Sequence, residues 1–107
     1  MSRAAHKRAA MQMPVSISNP DGQPITGYET QFWRWVNVRY LRGGESVMQA
    51  RLQSRSPVIL TVRDDADARR ITSEWKAVID GRVYDMKEDA RPSDNRLYLE
   101  FLAEAQS

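Results

Sequence analysis

Apolar residues recur along this chain in short runs that predict β-strands. After Pro14 they alternate with serines, which predicts a first strand over Pro14–Ser18. Phe32–Tyr40 holds two Trp and two Val and predicts a second strand. Pro57–Arg63 is a β-branched run with little polar interruption, which is typical of a buried strand.

The strongest local signal is the pair Asp80-Gly81. It joins the β-prone runs Ala77–Ile79 and Arg82–Met86, and a type I′ hairpin turn needs φ > 0 at both central residues, which Asp-Gly tolerates. A third run, Arg96–Leu102, follows a cluster of turn-forming residues. The pattern predicts a three-stranded meander.

The segments between these runs predict loops and one helix. Glu45–Arg55 has good helix formers and an acidic residue at its start, but its apolar face is thin, so a short helix and a mobile loop segment are both open there. We expect long loops over Asn19–Gln31 and Arg42–Ser56, and a polar loop or single helical turn over Asp64–Arg70. The predicted fold is all-β: a small barrel or sandwich of about six strands with one short helix and long loops.

The length of 107 residues predicts one folded domain. Residues 1–13 are polar, basic and Ala-rich, and we expect them to form a flexible N-terminal arm. Residues 14–107 then form a single β-barrel domain.

The composition favours a soluble protein made in the cytoplasm. There is no cysteine, which excludes disulfides and thiolate chemistry, and no apolar run long enough for a membrane span. The basic start lacks the apolar stretch of a secretory signal.

Charge is divided unevenly along the chain. Residues 1–63 carry nine basic and three acidic side chains, whereas residues 64–107 carry seven basic and eleven acidic ones. If the two halves also separate in space, one side of the molecule is basic and the other acidic. Such a separation of charge favours head-to-tail stacking of copies into rings.

Few residues have the pattern of a catalytic or metal site. His6 is the only histidine and lies in the expected arm, so neither a histidine triad nor a multi-histidine metal site fits within one chain. Asp64, Asp65 and Asp67 lack the ligand spacing and the glycine of a calcium loop. We expect no enzyme activity, no metal and no cofactor.

Trp33, Trp35 and Trp75 raise the possibility of base stacking. Trp33 and Trp35 share one face of a strand and lie beside Arg34 and Arg39, as in a surface that binds single-stranded nucleic acid. Packing in the core is the competing interpretation, and we expect it for at least one of these tryptophans.

An ordered set of motifs resembles the phage head–tail joining proteins, also called head–tail adaptor, head-closure or stopper proteins. Their pattern has a Trp-containing strand, a Leu-x-Gly-x-Glu turn, a short helix with Ala, an Ile-x-Ile-Arg strand, a Gly-x-x-Tyr-x-Ile hairpin and a terminal strand. The matching segments are Pro14–Ser18, Trp33 with Val36–Tyr40, Leu41–Glu45, Ala50, Val58–Arg63, Ile79–Met86 and Arg96–Phe101. The departures are Met86, where the family prefers Ile, and the basic arm.

The resemblance implies a structural virion protein of a tailed phage, prophage or gene transfer agent. Such proteins form a ring, typically a hexamer or dodecamer and here expected as a dodecamer, below the portal of the DNA-filled head. The ring closes the DNA channel and docks the tail. The implied partners are the portal or adaptor ring on the head side, the tail terminator or another tail protein on the other side, and the packaged double-stranded DNA.

Two groups of residues follow as candidates. Arg51 and Arg55 are expected to face the channel and meet DNA phosphates. Arg3, Lys7 and Arg8 are expected to dock the arm on the portal-side neighbour. The alternatives are a small nucleic-acid-binding β-barrel and a tail-completion or terminator protein.

Overall fold

The computed structural model of the chain describes residues 5–41 and 57–106. Among them, seven strands form one antiparallel sheet. The strands are β1 (Ala5–Ser18), β2 (Pro24–Tyr40), β3 (Pro57–Arg63), β4 (Lys76–Ile79), β5 (Arg82–Met86), β6 (Arg91–Pro92) and β7 (Tyr98–Ala105). A 3-10 helix, Ala68–Arg70, lies between β3 and β4. No helix in the described ranges is long and apolar enough to cross a membrane.

The sheet closes on itself as a barrel. Its order is β3-β2-β1-β4-β5-β7, and β7 pairs back onto β3 from Pro57↔Glu104 to Arg63↔Tyr98. The short β6 adds to β7 beyond the end of β5. Closure removes the open sheet edges at which strands aggregate. The expectation of an all-β fold of about six strands is confirmed, and the arrangement is a barrel.

Alternate residues of the strands fill the barrel interior. In β7 and β3 the inward positions are fully or almost fully buried, and Phe101 and Leu60 have no exposed surface. Trp75, just before β4, is also buried and packs against Phe32 with ring centres 5.9 Å apart. The expectation that at least one tryptophan lies in the core is confirmed.

The Asp80-Gly81 turn forms as expected. Asp80 has φ 52° and Gly81 has φ 79°, and β4 pairs with β5 in the register Ile79↔Arg82. Because a residue with a Cβ is strained at positive φ, Gly suits the second position.

The β1–β2 hairpin extends beyond the barrel as a two-stranded ribbon. Pairing of β1 with β4 ends at Gln12, whereas pairing with β2 continues to Ser18↔Pro24. At the tip, the Asn19 side chain accepts the backbone N–H of Asp21 at 3.0 Å and of Gln23 at 2.8 Å. The radius of gyration of 14.7 Å exceeds the roughly 13 Å of a compact chain of this length, as the projecting ribbon requires.

The observed bounds of β1 and β2 differ from two expectations drawn from the sequence. The flexible arm over 1–13 is wrong from Ala5 onward, because Ala5–Met13 pairs with β2 along its whole length. The loop expected over Asn19–Gln31 is confined to residues 19–23, since β2 already begins at Pro24. The helix expected over Glu45–Arg55 and the loop over Arg42–Ser56 lie outside the described residues.

Candidate interaction surface

The outer side of β1 and β2 exposes two tryptophans. Trp33 is 50% exposed and Trp35 is 66% exposed, whereas their neighbours Val36 and Val38 point into the barrel. The Arg8 guanidinium lies over the Trp33 ring, with its carbon 4.9 Å from the ring centre. Large exposed aromatic side chains with arginine are the composition of protein interfaces.

This aromatic–basic face consists of the outward-facing residues of the barrel part of β1 and β2. They are His6, Arg8, Trp33, Trp35, Asn37, Arg39 and Ala10, the last of which is itself buried by its neighbours. None of these seven residues carries a carboxylate. Trp35 also forms one wall of a shallow depression that Arg63 and Tyr98 line on the other side. The face therefore attracts a partner that is both apolar and acidic.

Arg34 does not belong to this face. Its side chain is turned away from Trp33 and Trp35, and its Nη2 donates to Asp67 Oδ2 at 2.8 Å while Nε donates to Asp65 Oδ2 at 3.3 Å. The basic strip that was expected beside the two tryptophans therefore does not include Arg34. Arg8, on the neighbouring strand, takes that place.

The acidic side chains before the 3-10 helix, Asp64, Asp65 and Asp67, form ion pairs with arginines. Asp64 accepts hydrogen bonds from Arg69 at 2.8 and 3.2 Å, which hold the pKa of the Asp64 carboxyl below its ordinary value. Asp65 and Asp67 bind Arg34 as described above. In residues 5–41 and 57–106 no group of three or more metal-ligating side chains is placed to hold an ion.

One end of the barrel carries a second polar group. Lys7 Nζ lies 3.1 Å from Asp80 Oδ2, so the β4–β5 turn is tied to β1. Tyr84 lies nearby, and burial, followed by a hydrogen bond with Tyr40, raises the pKa of its hydroxyl.

The candidate docking residues are thus separated. Lys7 lies at the barrel end and Arg8 on the aromatic–basic face, because successive residues of a strand point to opposite sides. Arg3, Arg51 and Arg55 lie outside the described residues. Their expected contacts with the portal-side neighbour and with DNA stay predictions.

Sequence reasoning missed Arg8 as a member of the aromatic–basic face. His6 and Arg8 lie on the opposite side of the strand from Lys7 and the buried Ala9 and Met11, which is a period-two pattern. That pattern was readable as a strand, but small alanines make a weak apolar signal and also favour a helix.

Comparison with known proteins places this fold among virion components. The family model described as phage head completion protein matches residues 4–106. The solution structure of protein SF1141 from Shigella flexneri 2a is similar, with a TM-score of 0.70 and 18% identity over 100% of this chain and 98% of that one. A chain of the virion of a native gene transfer agent particle has a TM-score of 0.67 and 17% identity over 98% of each chain.

The comparison with curated protein sequences found no match. The family match nevertheless extends from β1 to the last residue of the described range. It spans every strand that builds the aromatic–basic face. The chain therefore belongs to the phage head completion protein family, whose members are structural components of the virion and not enzymes, as the resemblance implied.

Proposed function

We propose that this protein forms a ring below the portal, closes the DNA channel of the filled head and docks the tail. Membership of the head completion family supports a position at the head–tail junction. The observation that carries the ring is the pair of exposed tryptophans, Trp33 and Trp35, on the outside of the barrel. Exposed aromatic side chains beside arginine favour a permanent protein contact.

The ring has two further sets of partners in this proposal. The portal or an adaptor ring lies on its head side, and a tail terminator or another tail protein lies on its tail side. Twelve copies match the symmetry that the family resemblance implies. The complex stays with the finished virion after assembly in the host cytoplasm.

Channel closure is assigned to the segment that contains Arg51 and Arg55. Two guanidinium groups per copy, repeated around a ring, concentrate positive charge where the packaged DNA ends. Replacing both residues with Glu is expected to release DNA from filled heads. Retention of the genome by the R51E/R55E variant contradicts this assignment and leaves the docking role in place.

The proposed function is tested by electron microscopy of particles made without this gene, followed by addition of the purified protein. Filled or leaking heads beside separate finished tails, joined on addition of the protein, support the proposal. Normal tailed particles without the gene contradict it. Joined particles with tails of abnormal length contradict it too and indicate a tail terminator.

A second candidate function is single-stranded nucleic-acid binding. The exposed Trp33 and Trp35 favour it, because bases stack on aromatic rings, and Arg8 and Arg39 supply positive charge on the same face. Binding of an oligonucleotide that weakens steeply with rising salt supports this function. Absence of binding at low salt removes it.

A further inference from the structure

A shallow groove on the outside of the barrel is rich in carboxylates. Ile59 on β3 and Leu102 on β7 face each other in register and supply its apolar surface. The charged residues that line it are Glu88, Asp89, Glu100 and Arg91. Among the residues that the structure describes, three acidic groups stand against one guanidinium, which makes this carboxylate groove negative.

The contacts within the groove leave its carboxylates with a net negative charge. Arg91 Nη2 donates to Glu88 Oε2 at 2.7 Å. Asp89 Oδ1 accepts the backbone N–H of Ser73 at 2.9 Å and so keeps a formal negative charge. Glu100 stands on the outer side of β7 and its Cα is paired with that of Thr61.

Arg8 and the carboxylates of the groove lie on different walls of the barrel, whereas Arg39, at the other end of the aromatic–basic face, is paired with the groove residue Ile59. In the closed ring of six strands, β1 and β7 are separated by two strands in either direction. Outward-pointing side chains at Arg8 on β1 and Glu100 on β7 therefore point away from each other. Arg8 of one copy therefore does not face the carboxylates of its own groove.

We infer that Trp33, Trp35 and Arg8 of one copy dock on the carboxylate groove of the next copy. This inference rests on the proposed ring. It specifies which two surfaces form the contact between neighbouring copies. Two different surfaces meeting head to tail form a heterologous contact, and such contacts close into rings when the rotation between copies allows it. A symmetric contact between two aromatic–basic faces instead places Arg8 against the other copy's arginines, which is unfavourable.

The chemistry of the two surfaces is complementary. Ile59 and Leu102 offer apolar surface to the indole rings, which bury about 150–250 Å² each when fully covered. Arg8 meets the carboxylates of the groove, and such charge-assisted pairs are the stronger class of hydrogen bond.

Cross-linking in assembled particles tests the two surfaces directly. The chain has no cysteine, so thiols introduced at His6 and Glu88 are unique. With a bismaleimide, particles carrying the H6C/E88C variant are expected to give a ladder of covalent oligomers beyond the dimer. Each single variant stays monomeric, and so does a D21C/E88C control, whose first thiol is at the ribbon tip.

Three outcomes overturn the inference. No ladder from H6C/E88C means that the two surfaces are apart in the particle. Dimers from H6C alone mean that the aromatic–basic faces meet symmetrically. A ladder from the D21C/E88C control means that the ribbon, rather than the face, meets the groove.

Charge reversal gives a second, functional readout. The R8E and E100R variants are each expected to lower the yield of joined particles by about tenfold, and the double variant R8E/E100R to recover most of it, because the reversed pair again attracts. If deleting the gene blocks joining but the double variant is no better than the singles, the surfaces are wrong and the proposed function stands. If deletion leaves joining intact, the proposed function itself fails.

Discussion

Arg34 on β2 forms an ion pair with Asp67 in the loop that follows β3, with Arg34 Nη2 2.8 Å from Asp67 Oδ2. The same guanidinium lies over the Phe32 ring, 4.7 Å from its centre, and its side chain is 28% exposed. Phe32 in turn contacts the buried Trp75. Arg34 therefore fixes the 3-10 helix region against the barrel and has a structural role rather than a role in partner binding.

The R34A variant is expected to lower the free energy of unfolding by about 1–2 kcal/mol, since two carboxylates lose a half-buried partner. Denaturant unfolding of the full chain measures it. Arg39 on the same strand is exposed and is the matched control, with an expected change within about 0.5 kcal/mol for R39A. Equal effects of R34A and R39A contradict the assigned role.

The G81A variant is expected to lower the free energy of unfolding by about 1 kcal/mol. Gly81 has φ 79°, where a Cβ is strained, and a Cβ there meets no atom within 4 Å, so the cost is conformational rather than steric. Thermal or denaturant unfolding measures the change. Asn adopts positive φ more readily than other residues with a side chain, so D80N keeps the turn and loses only the exposed ion pair with Lys7, with an expected change within about 0.5 kcal/mol. Unchanged stability in G81A argues against the I′ geometry.

Phe101 is the largest fully buried side chain of the barrel. The F101A variant removes an aromatic ring from the interior of β7 and is expected to cost about 3–5 kcal/mol. Leu97 is 50% exposed in the preceding turn, so L97A is the control with little expected effect. A small effect of F101A, measured by denaturant unfolding, contradicts the placement of β7 at the centre of the core.

Arg69 is expected to control the titration of Asp64. Because the pKa of Asp64 lies below its ordinary value of 3.8, the pair stabilises the fold above that pH, and this contribution is lost as pH falls through the folded pKa. In R69Q the Asp64 pKa is expected to rise toward 3.8, as measured by NMR of the carboxyl carbon. R91Q, which alters the Arg91–Glu88 pair instead, is the control and leaves the Asp64 pKa unchanged. An unaltered pKa in R69Q contradicts the assigned cause.

Local signals predicted the strands whose information lies within a few residues. Pro57–Arg63 matches β3 over its full length, and Asp80-Gly81 placed β4 and β5 correctly. The start of β1 depends instead on pairing with β2 across more than twenty residues, as in Ala5↔Val38. Such long-range pairing leaves little mark on a short polar sequence.

Part of the candidate interaction surface could be predicted from the sequence. The i, i+2 spacing of Trp33 and Trp35 placed both on one side of a strand, and the structure exposes both. The spacing could not say which charged residues join them, because Arg8 comes from another strand and Arg34 points inward. Closure of the barrel, which places Arg8 and Glu100 on opposite walls, is a property of the whole sheet.

An electron cryo-microscopy map of the head–tail junction in particles that contain this protein tests the central claim most directly. The account predicts a ring of these six-stranded barrels between the portal and the tail, surrounding the DNA channel. A junction that is filled by other proteins, with this barrel fitting only at the far end of the tail or nowhere in the particle, contradicts it.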